Sequence, residues 1–288
     1  MIFKKLLTVI MSGVMSVALL SGCGSDNNQD TEKSSTENER VGIISHLNMT
    51  EKAFNEFMKE AQTKTQQKLK IVNYVYYDNL NSMQMGLESG NVSAISTYES
   101  VAHYITQRND KLILLSDNAA KRVDSFCCAV RKDDTELKES LDKAITEMKS
   151  DGTIDNLIKK YITDLKADEE PPAVEIARIN GADTIRVGVT GDLPPLDLIL
   201  ANGKPAGFNT AVLSELSRRI GKNIELISIE SGARATALSS RKIDVIFWAI
   251  VPLDESAIKL PIDIDKPENV AITKSYYNND VAHIGLKK

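Results

Sequence analysis

The stretch Thr184–Trp248, TIRVGVTGDLPPLDLILANGKPAGFNTAVLSELSRRIGKNIELISIESGARATALSSRKIDVIFW, constrains the fold more than any other part of the chain. Ile185–Val189 is a short apolar run closed by Gly191 and the Pro194–Pro195 pair, and Asn202–Gly203 signals a turn. Val212, Leu213, Leu216 and Ile220 fall at helical spacing across Ala211–Ile220, and Gly221 stops that helix. Ile224–Ile229 alternates as a strand does, and Ile243–Trp248 is an apolar run of buried-strand type. The order strand, loop, helix, strand, helix, strand predicts an α/β fold with a parallel sheet and right-handed crossovers. Ligands of such sheets sit beyond the carboxyl ends of the strands, which puts Thr190–Leu196 and Trp248–Val251 at a binding crevice.

The same alternation runs from Val41 to Leu165. Strands are expected at Val41–Ile44, Ile71–Tyr77, Val92–Ser96 and Leu112–Leu115, and helices from Glu51, over Ser82–Gly90 and over Ser100–Gln107. Thr50 is positioned to cap the first of these helices, whose apolar stripe is Phe54, Phe57, Met58 and Ala61. The intervening segment 166–183, KADEEPPAVEIARINGAD, is acidic and carries Pro171–Pro172, as suits an exposed, partly stiff linker.

A net charge of −5 argues against a nucleic-acid partner. Residues 1–22 have the form of a secretory signal, with Lys4 and Lys5 ahead of the apolar Leu6–Leu20, a core of about 15 residues that is short for a membrane span. It ends in Leu20-Ser21-Gly22-Cys23, which resembles a bacterial lipobox. That resemblance implies cleavage before Cys23, lipidation of Cys23, and anchoring to the outer face of the cell membrane. The polar run at 24–40 reads as a tether unable to bury a core. Cys127 and Cys128 are adjacent on an expected strand and point to opposite faces, so one is expected inside and the other less so. Two unpaired core residues or a vicinal disulfide both fit. No Cys/His spacing suggests a metal, and no cofactor is expected.

Three blocks of the opening stretch, RVGVTGDLPPL, NGKPAGFNTAVLSELSRRIG and ALSSRKIDVI, resemble in order and spacing the amino-acid-type (family 3) solute-binding proteins of bacterial ABC importers. SMQMGLESGNVSAISTYESVAHYI resembles the second lobe of that family. FCCAVRKDDTELKESLDKAITEMKSDGTIDNLIKKYI resembles its C-terminal end, where a strand crosses back and two helices finish the chain. Second-lobe and terminal elements therefore come first here, and first-lobe elements last. Neither half is long enough for a complete member, and each lacks what the other supplies, so a circular permutation is favoured over two tandem domains. The resemblance implies a two-lobed periplasmic-binding-protein type II fold, its lobe order permuted, with a cleft between the lobes. The expected division is 1–22 signal, 23–40 lipidated tether, 41–125 second lobe, 126–165 return strand and terminal helices on the first lobe, 166–183 linker joining the old ends, and 184–288 first lobe with the outgoing hinge strand. Val281–Leu286 and Phe126–Arg131 are expected to lie side by side as the two crossings.

The resemblance also implies where a ligand is held. The family's stacking aromatic falls on Leu193, beside Asp192, and its following Phe on Leu196. Asn209 stands where Asp is common. The run Trp248–Ala257 covers the segment that ends in a carboxylate-binding Arg, with Ala249 and Val251 in its wall and Ser256 at the Arg position. In the second lobe the ammonium-binding acid aligns on Tyr98, with Glu99 beside it, and the helix-start loop supplies Ser45, His46 and Asn48. Trp248, the one Trp, is either a cleft wall or a core residue, and His46 either faces the cleft or is merely solvated. Tyr276–Tyr277 is expected to be structural. Losing a bidentate Arg pair costs a few charged hydrogen bonds of about 1.5–3 kcal/mol each, so the expected ligand is less charged, or larger and more apolar, than a free amino acid. The expected partners are that small molecule and a membrane permease, with the chain acting as a monomer. No Ser/His/Asp set, paired-carboxylate motif or phosphate loop is visible, so no enzyme is expected. A lipoprotein that senses rather than transports, with a ligand other than an amino acid, is one alternative, and an enzyme built on the same fold is another.

Overall fold

The computed structural model describes residues 39–64, 72–116, 122–253 and 264–287, so Cys23, the signal and tether before Glu39, and Ser256 lie outside the described residues. In chain order the elements are β1 (Glu39–Ile44), α1 (Glu51–Lys64), β2 (Val72–Tyr77), α2 (Leu80–Glu88), β3 (Ala94–Tyr98), α3 (Glu99–Thr106), β4 (Leu112–Leu114), β5 (Val123–Arg131), α4 (Thr135–Ser150) and α5 (Thr153–Ile158). Then follow β6 (Thr184–Val189), β7 (Asp192–Leu193), β8 (Asp197–Ile199), β9 (Pro205–Ala206), α6 (Phe208–Ile220), β10 (Asn223–Ser228), α7 (Arg234–Ser239), β11 (Val245–Pro252), β12 (Val270–Ile272) and β13 (Tyr277–Leu286).

Two parallel sheets form two lobes. One has β6 between β10 and β11, and the other has β1 between β2 and β3. Both are mixed α/β, as the alternation predicts, and together they make the two-lobed periplasmic-binding-protein fold. The lobes are joined by β5 and β13, which pair antiparallel through Tyr277↔Phe126 to Asp280↔Val123. Each crossing strand pairs with the other and with the strands of one lobe. Beyond Asp280, β13 pairs with β3 and β4, while β5 pairs with β11 and β12. The crossings are thus neighbours, but not along the expected residues: Val281–Leu286 already belongs to the second sheet, and the ladder between the crossings is 123–126 against 277–280. Ile95 of β3 pairs with Gly42 on one side and Ile284 on the other, so the start of β1 and the end of β13 flank the same end of β3.

Local sequence explains the packing of each layer. Leu141, Ala144, Ile145 and Met148 make one apolar stripe on α4, and α4 and α5 use such stripes to pack on α6 of the first lobe. Gly86 lets α2 press on Tyr77, since a Cβ there would meet the phenol oxygen at 2.1 Å. Gly207, at φ +96°, admits the carbonyl of Pro195 where a side chain would stand 2.6 Å away. Cys127 and Cys128 are both buried and both free, because β5 is covered on both faces.

Two features differ from the expected ones. The loop after β6 folds back as a small antiparallel sheet, β7-β8-β9. The segment 166–183 is exposed over much of its length but tacked to the first lobe. Val174 N–H donates to Pro205 O, and the buried Asn223 amide bonds the backbone of Ile179 and Ala182.

Candidate binding cavity between the lobes

A cavity of about 50 Å³ lies where the carboxyl ends of β1, β3 and β11 meet the crossing strands. The second lobe contributes Ser45, His46, Leu47, Thr97 and Tyr98, the first contributes Arg234, Trp248, Ile250 and Asp265, and the crossings contribute Asp124 and Val281. Ligand pockets of binding proteins are usually several hundred Å³, on the order of 300 Å³ or more, so this is a closed arrangement with room for a few waters.

Trp248 sits at a bulge. Phe247 and Ala249 pair with adjacent residues of β5, leaving Trp248 as the extra residue and turning its ring toward the crossing strands. The indole stacks on Phe126, and Tyr98 from the second lobe stands edge-on to both rings. Trp248 is only 1% exposed and also lines the cavity. Arg234 packs its guanidinium over the indole, 5.0 Å from the ring centroid, and donates from Nη1 to Trp248 O at 2.7 Å and from Nε to Ser231 O. Burial pushes the Arg234 guanidinium below its usual range, against the nearby carboxylate of Asp265. Arg122 and Asp124 form a bidentate pair at 2.9 and 3.2 Å.

Asp265 carries the contact that closes the cleft. Its Oδ2 accepts from Leu47 N–H at 2.8 Å, and its Oδ1 from Asn48 N–H at 2.8 Å and Met49 N–H at 3.1 Å. His46 Nδ1 is 3.8 Å from Oδ1, and burial lowers the His46 pKa despite that carboxylate, keeping the ring neutral at pH 7. A second first-lobe carboxylate, Asp192, accepts from Leu80 N–H at 2.7 Å at the start of α2. His46 Nδ1, Thr97 Oγ1 and Trp248 Nε1 are buried polar atoms at the cavity with no hydrogen-bond partner among the described residues.

The residues read from the sequence as ligand contacts divide, among the described residues, into four groups. Ser45, His46, Tyr98 and Trp248 are brought together on the cavity wall. Asp192 and Asn48 lie in the interlobe contacts just described, and Val251 is half-buried beyond the cavity. Leu193 and Leu196 are in the main core, Ala249 is in a smaller apolar cluster, and Asn209 is buried as acceptor for the Tyr276 hydroxyl. Glu99 turns away from the cavity and pairs with His103 at 3.6 Å on the outer face of α3. The sequence reading did not find Arg234, Asp265, Thr97 or the Arg122–Asp124 pair.

Two α/β lobes joined by paired crossing strands around a buried polar cavity define a protein of the solute-binding class. The family model of bacterial extracellular solute-binding proteins, family 3, matches residues 55–164 and 185–278, and the chain belongs to that family. No curated protein matches the sequence. Solved structures of similar fold include full-length CbnR complexed with target DNA, at 10% identity, covering 88% of this chain and 65% of that one with a TM-score of 0.39. The ligand-binding component of an ABC-type import system from Staphylococcus aureus, with zinc bound, is 12% identical over 85% of this chain and 65% of that one, with a TM-score of 0.40. A nutrient-binding protein from Burkholderia cenocepacia bound to methionine is 11% identical over 86% and 84%, with a TM-score of 0.38. The chain spans 65% of the length of the first two.

Proposed function

We propose that the chain is an extracytoplasmic lipoprotein, anchored through Cys23, that encloses a small amino-acid-like or related solute between its lobes and presents it to an ABC permease. The observation that carries this reading is the interlobe cavity, where buried polar groups from both lobes converge with Thr97 Oγ1 and Trp248 Nε1 unpartnered. At about 50 Å³ the cavity cannot hold an amino acid, so uptake requires the lobes to swing apart about β5 and β13. Family membership supports the binding role and favours binding over catalysis.

The lobe order fits a circular permutation. Three observations support this: the family match falls in two blocks, the end of β13 and the start of β1 flank the same end of β3, and 166–183 runs along the first lobe. A thermal-shift screen across amino acids, peptides, nucleosides and aromatic metabolites, followed by calorimetry, tests the binding role. At least one compound is expected to raise Tm saturably, and a chain indifferent to every small solute is not a transport receptor. Radiolabelled palmitate is expected on the native chain and not on Cys23→Ser; equal labelling of both would remove the anchor.

A sensing lipoprotein with a ligand other than an amino acid is the second reading. It is favoured by Leu193 and Leu196 lying in the core, where they offer a ligand nothing.

A further inference from the structure

The segment 166–183 falls between the two blocks that match the family, 55–164 and 185–278, so no part of the family pattern covers it. It leaves α4 and α5, which pack on α6 of the first lobe, and further on Ala173 bridges to Ala206 and Asn223 holds Ile179 and Ala182, again on the first lobe. Its first turn nevertheless touches the second lobe. Arg108, just past the end of α3, donates from Nη2 to the carbonyls of Glu169 and of Lys166, the latter at 2.8 Å, and from Nη1 to Tyr104 O at 3.0 Å. The guanidinium lies over the Tyr104 ring, 3.6 Å from its centroid, which fixes the direction of its donor fork. The turn is closed on itself: Glu169 N–H donates to Lys166 O at 3.1 Å, and Lys166 Nζ pairs with the Glu169 carboxylate at 3.2 Å.

Beside this contact the lobes stand apart. A hollow of about 340 Å³ separates His103 and Gln107 of the second lobe from Ile162, Leu165 and Pro195 of the first. It shares no lining residue with the interlobe cavity. Rotation about β5 and β13 changes the width of this hollow, and with it the distance from Arg108 to the turn. A hydrogen bond stretched past about 3.5 Å is lost. The turn is held on the first lobe from both sides, so the lobes cannot swing far while Arg108 grips it.

We propose that Arg108 and the turn Lys166–Glu169 form a latch that holds the lobes closed and sets how often they open. The proposal goes beyond solute binding and rests on that reading only for the hinge movement. Opening requires the guanidinium to leave both carbonyls of the turn.

Hydrogen exchange on the solute-free chain tests the latch. The reporting amides are Leu47 and Leu80, which donate across the lobes to Asp265 and Asp192, and amides within β1 and β6 are the internal standard. A hydrogen bond from a charged donor is worth about tenfold or more in an equilibrium constant. Arg108→Ala is therefore expected to speed exchange at Leu47 and Leu80 about tenfold or more relative to β1 and β6. Deletion of Ala167 and Asp168, both exposed, breaks the turn without altering α3 and is expected to do the same. That deletion decides the matter if Arg108→Ala does not fold. Combining the two changes is expected to add little to either alone. A folded variant of either kind that leaves the ratio unchanged overturns the proposal, as does acceleration that is equal at all amides. Exchange at Leu47 and Leu80 no faster than in β1 and β6 of the native chain would mean that the lobes do not open, and the binding reading would fail together with the latch. Faster exchange in the native chain that neither variant alters would sink the latch alone.

Discussion

The Trp248 indole lies face to face with the Phe126 ring, their centroids 5.2 Å apart and their planes inclined by 14°. Phe126 belongs to the crossing strand β5, Trp248 to the first lobe, and Tyr98, edge-on to both, to the second. This one aromatic cluster spans the joint about which the lobes would turn. Removing the indole leaves a large void in a fully buried site, and such truncations cost about 3–5 kcal/mol. Trp248→Ala is expected to lower the urea midpoint accordingly, read by circular dichroism because the chain has no other Trp. Trp248→Phe, which keeps a ring against Phe126, is expected to lose markedly less. Equal losses would show that stacking is not what the site supplies.

Cys127 and Cys128 yield a second expectation. Burial pushes the Cys127 thiol up to about 12 and raises that of Cys128 further. At pH 8 almost no thiolate is present at either, and neither sulfur is open to reagent. In a Cys23→Ser background, Ellman's reagent is expected to detect no thiol in the native protein and two after denaturation. Fast labelling before denaturation would contradict the burial of β5.

Much of this was legible in the sequence, and the reason is specific. Ile185–Val189, Ala211–Ile220 and Ile243–Trp248 are long enough for their apolar pattern to show, and each is bounded by Gly, Pro or a charge. The small sheet β7-β8-β9 was not, because strands of two or three residues carry no period. That omission also decided the fate of Leu193 and Leu196: the loop folds back on itself and packs them inward, while Asn209, in the first turn of α6, is buried against the Tyr276 hydroxyl. Ser45, His46, Tyr98 and Trp248 could be placed because each follows or ends a recognisable strand. Arg234 and Asp265 lie in polar stretches, ESGARAT and PIDIDKPEN, that read as surface. Asp265 is buried against the amides of the other lobe and Arg234 against Trp248 of its own, tertiary packing without a local signal.

Asp197 makes stability depend on pH. Its carboxylate accepts from the amides of Thr190 and Gly191 and from the Thr190 hydroxyl, yet burial outweighs these bonds and pushes its pKa from the ordinary 3.8 up to about 6. Between those values the folded chain holds a proton that the unfolded chain has lost. Its contribution therefore favours the fold below about pH 4, falls as pH rises, and levels off above about pH 6, a difference of about 3 kcal/mol. Asp197→Asn keeps an acceptor for the two amides and cannot ionise. The stability of the native chain relative to this variant is expected to decline by that order between pH 4 and pH 7, measured by urea unfolding at each pH. A difference that stays flat would place the carboxyl pKa near its ordinary value.

The proposed permutation can be tested by reversing it. The end of β13 and the start of β1 flank the same end of β3, each one strand away from it. Neighbouring strands are about 4.8 Å apart, so the gap across β3 is about 10 Å, within reach of a link of about five residues. A chain that starts at Thr184, runs to Leu286, passes through a short Gly/Ser link to Glu39 and stops at Leu165 would place first-lobe elements ahead of second-lobe ones. It omits 166–183 and so leaves the Asn223 side chain and N–H, the Pro205 carbonyl and the Arg108 guanidinium without their partners in that segment, a loss of several hydrogen bonds at about 1 kcal/mol each. The reordered chain is expected to fold cooperatively, with the Trp248 emission of the native protein and a urea midpoint lower by no more than that loss. A reordered chain that stays unfolded, while the native order folds under the same conditions, would mean that 166–183 holds the first lobe together and is not a connector between former ends.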